Sequence, residues 1–365
     1  MISQKITVLQ LFFIIMISTG LMNHVMVIPV LLDKSGRDAW ITVLVAGVPF
    51  LAWSAIIYFI YKRLAGKHLF LWLKERVGTI VTYILILSLC IYVFVLAVIT
   101  LLDTFSFINT FYLELTPKIV VITTILLVCF YNSYKGIRSI GLISGILLPA
   151  IVIFGFFVMT ANMENKDYSL LKPYLENGYT PIWKGLISVL AGLTEIVTIL
   201  FVQQHLNQKL SYKYLLILCL ALMGLIIGPL TGAIAEFGPF STKNQRFPAF
   251  EEWRLVSLGV YIEHLDFLAF YQWLSGAYIR ISFFIFLIPN LLNVEKEKRR
   301  VFFLLGLYAV LAIIVLLPIS DIVYFQLLKD WILPLSFWFI LGVSIFLFSI
   351  SLFNRKRGEK VIDEA

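Results

Sequence analysis

The chain has 365 residues, 61% of them hydrophobic and only 14% charged, with a formal net charge of +8. Mean hydropathy of +0.95, carried by apolar runs of about twenty residues from end to end, excludes a soluble globular domain and a β-barrel of short alternating strands. The fold class is therefore an all-α polytopic membrane protein, and its basic residues lie in loops, where membrane topology accounts for them better than nucleic-acid binding does.

The N-terminal run lacks a small-residue cleavage site and is too long for a signal-peptide core, so it is expected to stay as the first helix. Ten spans are expected in chain order: 8–32, 40–61, 80–108, 118–134, 139–160, 184–203, 212–236, 263–290, 301–319 and 330–353. Segment 67–78 is too short and too charged to cross; Leu69, Phe70, Trp72 and Leu73 predict a helix lying at the cytoplasmic interface. Alternate loops and the two terminal segments hold 18 Lys and Arg, the remaining connections 10, and Arg280 stands inside span 8. That asymmetry puts both termini in the cytoplasm. The chain is expected to be one membrane domain over 1–365 with a cytoplasmic tail at 354–365.

Ten spans divide into two five-span halves, about 8–160 and 184–353, inverted relative to each other because each half is odd. In that layout the first span of each half is broken near mid-membrane. Span 1 carries Ser18, Thr19 and Gly20, then Asn23, His24 and Pro29; span 6 carries Ser188, Gly192, Thr194 and Glu195. Hydroxyls beside the glycines can satisfy freed backbone groups. Thr19 and Gly20 are expected to mark the unwound turn, with Pro29 at the helix's outer end. Small residues also serve plain helix packing. Two interruptions at corresponding places favour a binding site. Glu195 costs roughly 3 kcal/mol at mid-span, which the apolar residues around it offset at about 0.3–0.6 kcal/mol each.

Two stretches resemble the B subunit of spore nutrient-germinant receptors (the GerAB/GerKB type). One is the opening "KITVLQLFFIIMISTGLMNHVMVIPVLLDKSGRDAWITVLVAGV", with its helix ending in Pro plus apolars and its "GRDAWI" turn. The other is the loop "GPFSTKNQRFPAFEEWRLVSLGVYIEHLDFLAFYQWL", similar to that family's P-x-F-E-x-x-R segment and E-x-x-D entry into span 8. The resemblance implies the amino-acid/polyamine/organocation transporter fold (the LeuT-like 5+5 inverted repeat). It also implies a place in the spore's inner membrane, a small nutrient ligand such as an amino acid or a sugar, and partner subunits of A and C type. "HLDF" departs from the family's usual basic residue before that Asp, and His24 follows the span-1 break.

The expected ligand site takes Thr19, Gly20, Leu21 and Met22 from span 1 and Ala191, Gly192, Leu193 and Thr194 from span 6. A half-helix N-terminus suits a carboxylate and unwound carbonyls suit an ammonium. Glu195 fits a ligand ammonium, a proton or a hydrogen bond to a neighbouring helix. Arg280 is expected to face inward and be paired. Asp103, with Thr100, Thr104 and Ser106, lines either an outward water path or the interface. His24, one turn beyond Gly20, faces the same cavity or packs. Tyr92, Trp273 and Tyr278 are candidate walls, and Glu263 and Asp266 are expected to cap span 8. Sensor and proton-coupled amino-acid transporter share this pocket chemistry. No nucleophile, paired-carboxylate or metal-ligand pattern points to an enzyme, and no metal or other cofactor is expected.

Overall fold

The computed structural model describes residues 5–257 and 264–353, so Glu263 and the expected tail at 354–365 lie outside the described residues. Among those described, nine stretches are long and apolar enough to cross a membrane. The first runs 57 residues, Val8–Leu64. At 1.5 Å per residue a straight helix of that length would reach roughly 86 Å, nearly three times a bilayer's hydrocarbon thickness. It does not run straight: Gly36 has φ 55 and ψ −131, and a 3-10 turn, Gly36–Asp38, follows it. That turn separates the Val8–Ser35 helical run from α3 (Ala39–Leu64).

The Val8–Ser35 run is itself irregular. Helix α1 (Val8–Leu21) opens with a capping box in which Thr7 and Gln10 exchange hydrogen bonds. A π-helical turn, Met22–Val27, joins it to α2 (Ile28–Ser35). Thr19 and Gly20 are thus regular helix, and the carbonyl of Thr19 accepts from the N–H of Met22. The expected unwinding there does not occur, and Pro29 begins the outer segment rather than ending the helix. Pro29 explains both corrections. It has no N–H to give, and its ring crowds the carbonyl one turn back, so the preceding turn widens instead of opening. The last long stretch repeats this device: α14 (Asp321–Leu327) passes through a π turn, Leu328–Ile332, into α15 (Leu333–Leu352), where Pro334 follows at the same offset.

Helix α4 (Leu69–Val77) buries Leu69, Phe70, Trp72 and Leu73, the four residues that predicted it. Then come α5 (Thr79–Phe111), α6 (Lys118–Lys135) and α7 (Ile137–Ala161). The next stretch changes pitch three times. Helix α8 (Thr180–Leu193) gives way to a 3-10 turn, Thr194–Thr198, then α9 (Ile199–Val202) and a second 3-10 turn at Gln203–His205. Here the pitch changes two residues past Gly192, where a break is expected, but the backbone stays right-handed helical and does not unwind. The Thr194 and Thr198 hydroxyls donate to the carbonyls of Ala191 and Glu195.

Helix α10 (Tyr212–Lys243) kinks at Gly238, whose φ of 76 no L-residue adopts easily, just ahead of Pro239. A short strap helix, α11 (Pro248–Arg254), crosses that end, and α12 (Phe267–Leu291), α13 (Glu297–Leu316) and α14–α15 complete the bundle. Asp266 occupies the N-cap of α12, but its side chain makes no capping bond. The α8–α9 stretch and α12 are the most enclosed, while α7 and α13 lie at the periphery. We call the end holding α4 and the 204–211 loop the basic end, and the end holding α11 the strap end. At the basic end, Ile6 pairs with the α9–α10 connection through Ile6 N–H to His205 O (2.8 Å) and Asn207 N–H to Ile6 O (3.0 Å).

Candidate functional site

The centre of the bundle is built on charge. Glu195, in the 3-10 turn, accepts a two-pronged bond from Arg280 of α12: Nη1 to Oε2 at 2.5 Å and Nη2 to Oε1 at 2.6 Å. Arg280 also donates from Nη1 to the carbonyl of Ser18 (2.8 Å) and from Nε to Thr100 Oγ1 (2.8 Å). Both charged side chains are sealed from solvent, at 0% and 1% exposure. The guanidinium ties α1, α5, α12 and the α8–α9 stretch to one point. A planar, permanently charged fork suits this role, since a point-charge ammonium could not make all of these bonds in one plane. Two charges placed in so dry a site persist only when each is paired and hydrogen-bonded.

A second arginine node lies at the strap end. Arg246 donates to Asp103 (Nη2 to Oδ1, 2.6 Å) and Asp321 (Nε to Oδ2, 3.0 Å), and Ser106 Oγ donates to Asp321 (2.7 Å). Its guanidinium also lies against the rings of Phe247, Tyr324 and Phe325. Burial opposes charge on Arg246, but Asp103, Tyr324 and Asp321 outweigh it and hold its pKa above the ordinary value. Beside this node, Phe247 and Phe250 pack on Phe107, whose ring stacks on Trp273 at 3.9 Å. The strap therefore seats aromatic side chains over the end of α12.

Next to the central pair, on the flank of α1, lies a cavity of about 440 Å³. Gly20, Leu21 and His24 form its floor with Gly276 and Trp273 of α12. Its sides are Val152, Gly155 and Phe156 of α7 and Gly224 and Gly228 of α10, and its strap end is closed by Phe250, Glu252 and Trp253 with Lys166. Lys166 is buried between Glu236 (3.2 Å) and Glu252 (3.8 Å). Burial, reinforced by the Glu236 carboxylate and opposed by Lys166, pushes the Glu252 carboxyl well above the usual carboxylate range. Among the described residues, His24 Nδ1, Trp273 Nε1 and Glu252 Oε1 have no hydrogen-bond partner.

The predicted residues thus separate into five places. Gly20, Leu21, His24 and Trp273 border the cavity, and Glu195 and Arg280 form the pair beside it. Thr19, Met22, Ala191, Gly192, Leu193 and Thr194 are buried but do not border the cavity. A Cβ on Gly192 would fall on Asn23 Oδ1 and meet Val27 Cγ2 at 2.8 Å, so this glycine lets α8 press against the π turn. Tyr92 lies against Phe339 of α15, and Asp103 belongs to the strap node. Arg246, Asp321, Lys166, Glu236 and Glu252 do not stand out in the sequence because most lie in or beside loops, where charge normally means solvent. The spacing of Arg246 and Glu252 within the "QRFPAFEEW" segment was the one available signal.

A family model described as "Spore germination protein" matches residues 5–322. The chain is 44% identical to "Spore germination protein XB" of Bacillus anthracis, over 96% of this chain and 99% of that protein. It is 24% identical to "Spore germination protein KB" of Bacillus subtilis, over 98% and 97% of the two chains. "Spore germination protein A2" of Bacillus subtilis is 25% identical over 60% of this chain and 65% of that protein.

Proposed function

The chain belongs to the spore germination protein family, and from that premise we propose that it is the nutrient-sensing B subunit of a germinant receptor. It lies in the inner membrane of the spore, crosses ten times as two inverted halves (8–160 and 184–353), and keeps its basic end and both termini in the cytoplasm. A small nutrient, an amino acid or a sugar, enters from the strap end and settles against Gly20, Leu21 and Trp273. A- and C-type partner subunits carry the signal onward. The chain catalyses no reaction.

The observation that carries this reading is the Glu195–Arg280 pair. It joins the α8–α9 stretch to the carbonyl of Ser18 one turn from the cavity floor, so a ligand there shifts the balance between two arrangements of the halves about this charged joint. A ligand shifts such an equilibrium only by its difference in affinity for the two states. The pair also favours sensing over ion-coupled transport. An arginine does not deprotonate, and its fixed charge already neutralises the central carboxylate that a proton or sodium ion would need. Thr19, Met22, Gly192 and Thr194 line up behind the cavity wall as the packing that transmits the shift.

Two measurements test the proposal. Spores carrying Trp273→Ala, with the protein present at normal level, are expected to lose or change their response to at least one nutrient. Full-length protein in lipid vesicles is expected not to accumulate labelled amino acid when a pH gradient is applied. Accumulation would replace the sensor with a proton-coupled transporter.

A further inference from the structure

The cavity itself narrows the ligand. We infer that it takes a molecule with an apolar or aromatic body and one amino group, the body lying along the glycine-lined wall and the ammonium against Glu252. This deepens the nutrient-sensing reading and rests on it.

Volume and wall chemistry come first. About 440 Å³ suits a single small organic molecule. Most of the wall is aliphatic or aromatic, and three glycines shape its sides. A Cβ built on Gly155, Gly224 or Gly228 meets no atom within 4 Å, so these positions border open space rather than a packed neighbour. A sugar presents a hydroxyl on nearly every carbon, and each one buried without a partner is unfavourable. The polar side chains on the wall are too few for that, and Gln272 already donates to the carbonyl of Ile151 at 2.8 Å.

Charge decides the orientation. The strap end brings two carboxylates, Glu236 and Glu252, to a single lysine, with all three side chains 5% exposed or less. Two carboxyls share one cation in a dry site, so Glu252 stays protonated when the cavity is empty, and it borders the cavity with its Oε1 unpartnered among the described residues. A ligand ammonium supplies the second cation that lets Glu252 ionise against it, whereas a ligand carboxylate would add a second acid to a site already short of cations. On the floor, Trp273 is 6% exposed, and among the described residues its Nε1 has no acceptor and His24 Nδ1 no partner. These two groups can each hold one further polar atom of the ligand, so a carboxylate on an amino acid is tolerated at the floor but not required.

The test is equilibrium dialysis of purified full-length protein against three labelled probes: phenethylamine, hydrocinnamate, which replaces the amine by a carboxylate, and D-glucose. Phenethylamine is expected to bind saturably, with the other two weaker by about tenfold or more. Glu252→Gln is expected to weaken the amine about tenfold. Gly228→Leu, which adds bulk to the cavity wall at a position where a Cβ meets no described atom within 4 Å, is expected to abolish its binding. The inference is overturned if D-glucose or hydrocinnamate binds as well as the amine, if no probe binds saturably, or if folded Glu252→Gln binds unchanged. Should Glu252→Gln fail to fold, the comparison of amine with carboxylate on the unaltered chain still decides. The purified protein can bind the amine while the spores' nutrient response ignores this chain, and the reverse also holds, so failure of the ligand class and failure of the sensing role are read separately.

Discussion

Arg280 and Arg246 are both clamped by carboxylates, yet they sit in opposite surroundings. Arg280 is sealed at the centre with one carboxylate, one carbonyl and one hydroxyl. Arg246 is 19% exposed and shares two carboxylates, one of which, on Asp321, is 37% exposed. In a dry site, breaking one partner leaves an uncompensated charge, whereas a half-wet node can trade its partners for water. The comparison teaches that the centre is the fixed joint of the molecule and the strap its releasable end.

Breaking the fixed joint should have the largest effect. Glu195→Gln leaves Arg280 buried without a counter-charge and is expected to cost about 3–5 kcal/mol, read as lost stability in denaturant titrations of the detergent-solubilised protein. The double change Glu195→Leu with Arg280→Met should recover much of that loss, because no charge is then stranded. If the single change costs nothing, the centre is not the joint. At the strap, Asp103→Ala removes the acceptor of a hydrogen bond from a charged group, worth about 1.5–3 kcal/mol. Its effect should stay local, seen as faster hydrogen exchange over 244–257. Added salt should loosen the strap but leave exchange around Glu195 unchanged.

Two glycines sharpen the same contrast between packed centre and open flank. Gly192→Ala pushes a methyl onto Asn23 and Val27, an overpacking expected to cost about 1–3 kcal/mol. Gly228→Ala meets nothing and should be neutral or slightly stabilising through helix propensity. Equal effects at the two positions would contradict the placement of the cavity.

The smallest expected effect is a pH dependence at the basic end. His68 Nδ1 accepts from the N–H of Phe70 (3.2 Å), so the ring proton is on Nε2, which donates to the carbonyl of Asn290 (2.7 Å). Burial holds its pKa below the ordinary 6.5, with His205 adding to the shift and the Asn290 carbonyl and Glu295 opposing it. A base depressed in the folded state contributes stability that is full above its unfolded pKa and is lost as pH falls below it. Protonation would also remove the cap of α4 and place positive charge at a helix N-terminus. Protection of the α4 amides, taken relative to the intrinsic exchange rate at each pH, should therefore fall below about pH 6.5, and His68→Ala should flatten that response.

How much of this was visible beforehand follows from what a linear pattern records. Glu195 and Arg280 stood out because a charge within an apolar run is conspicuous. Their pairing across 85 residues depended on the rotational phase of two helices, which the order of residues does not state. The change of pitch beside Gly192 was legible because hydroxyls and a carboxylate cluster there. The one near Gly20 was misplaced because Ser18, Thr19 and Gly20 drew attention from Pro29, the residue that widens the turn. The cavity was half legible: its floor came from the span-1 and span-8 candidates. Its polar end did not, because Lys166 and Glu252 belong to connecting segments, and only the fold buries them.

The most direct test of the account is nutrient-triggered germination of spores carrying the unaltered chain or Gly228→Leu at equal levels in the membrane. The account predicts that filling the cavity abolishes the response assigned to this subunit and leaves responses through other receptors intact. An unchanged response with the cavity filled would contradict it.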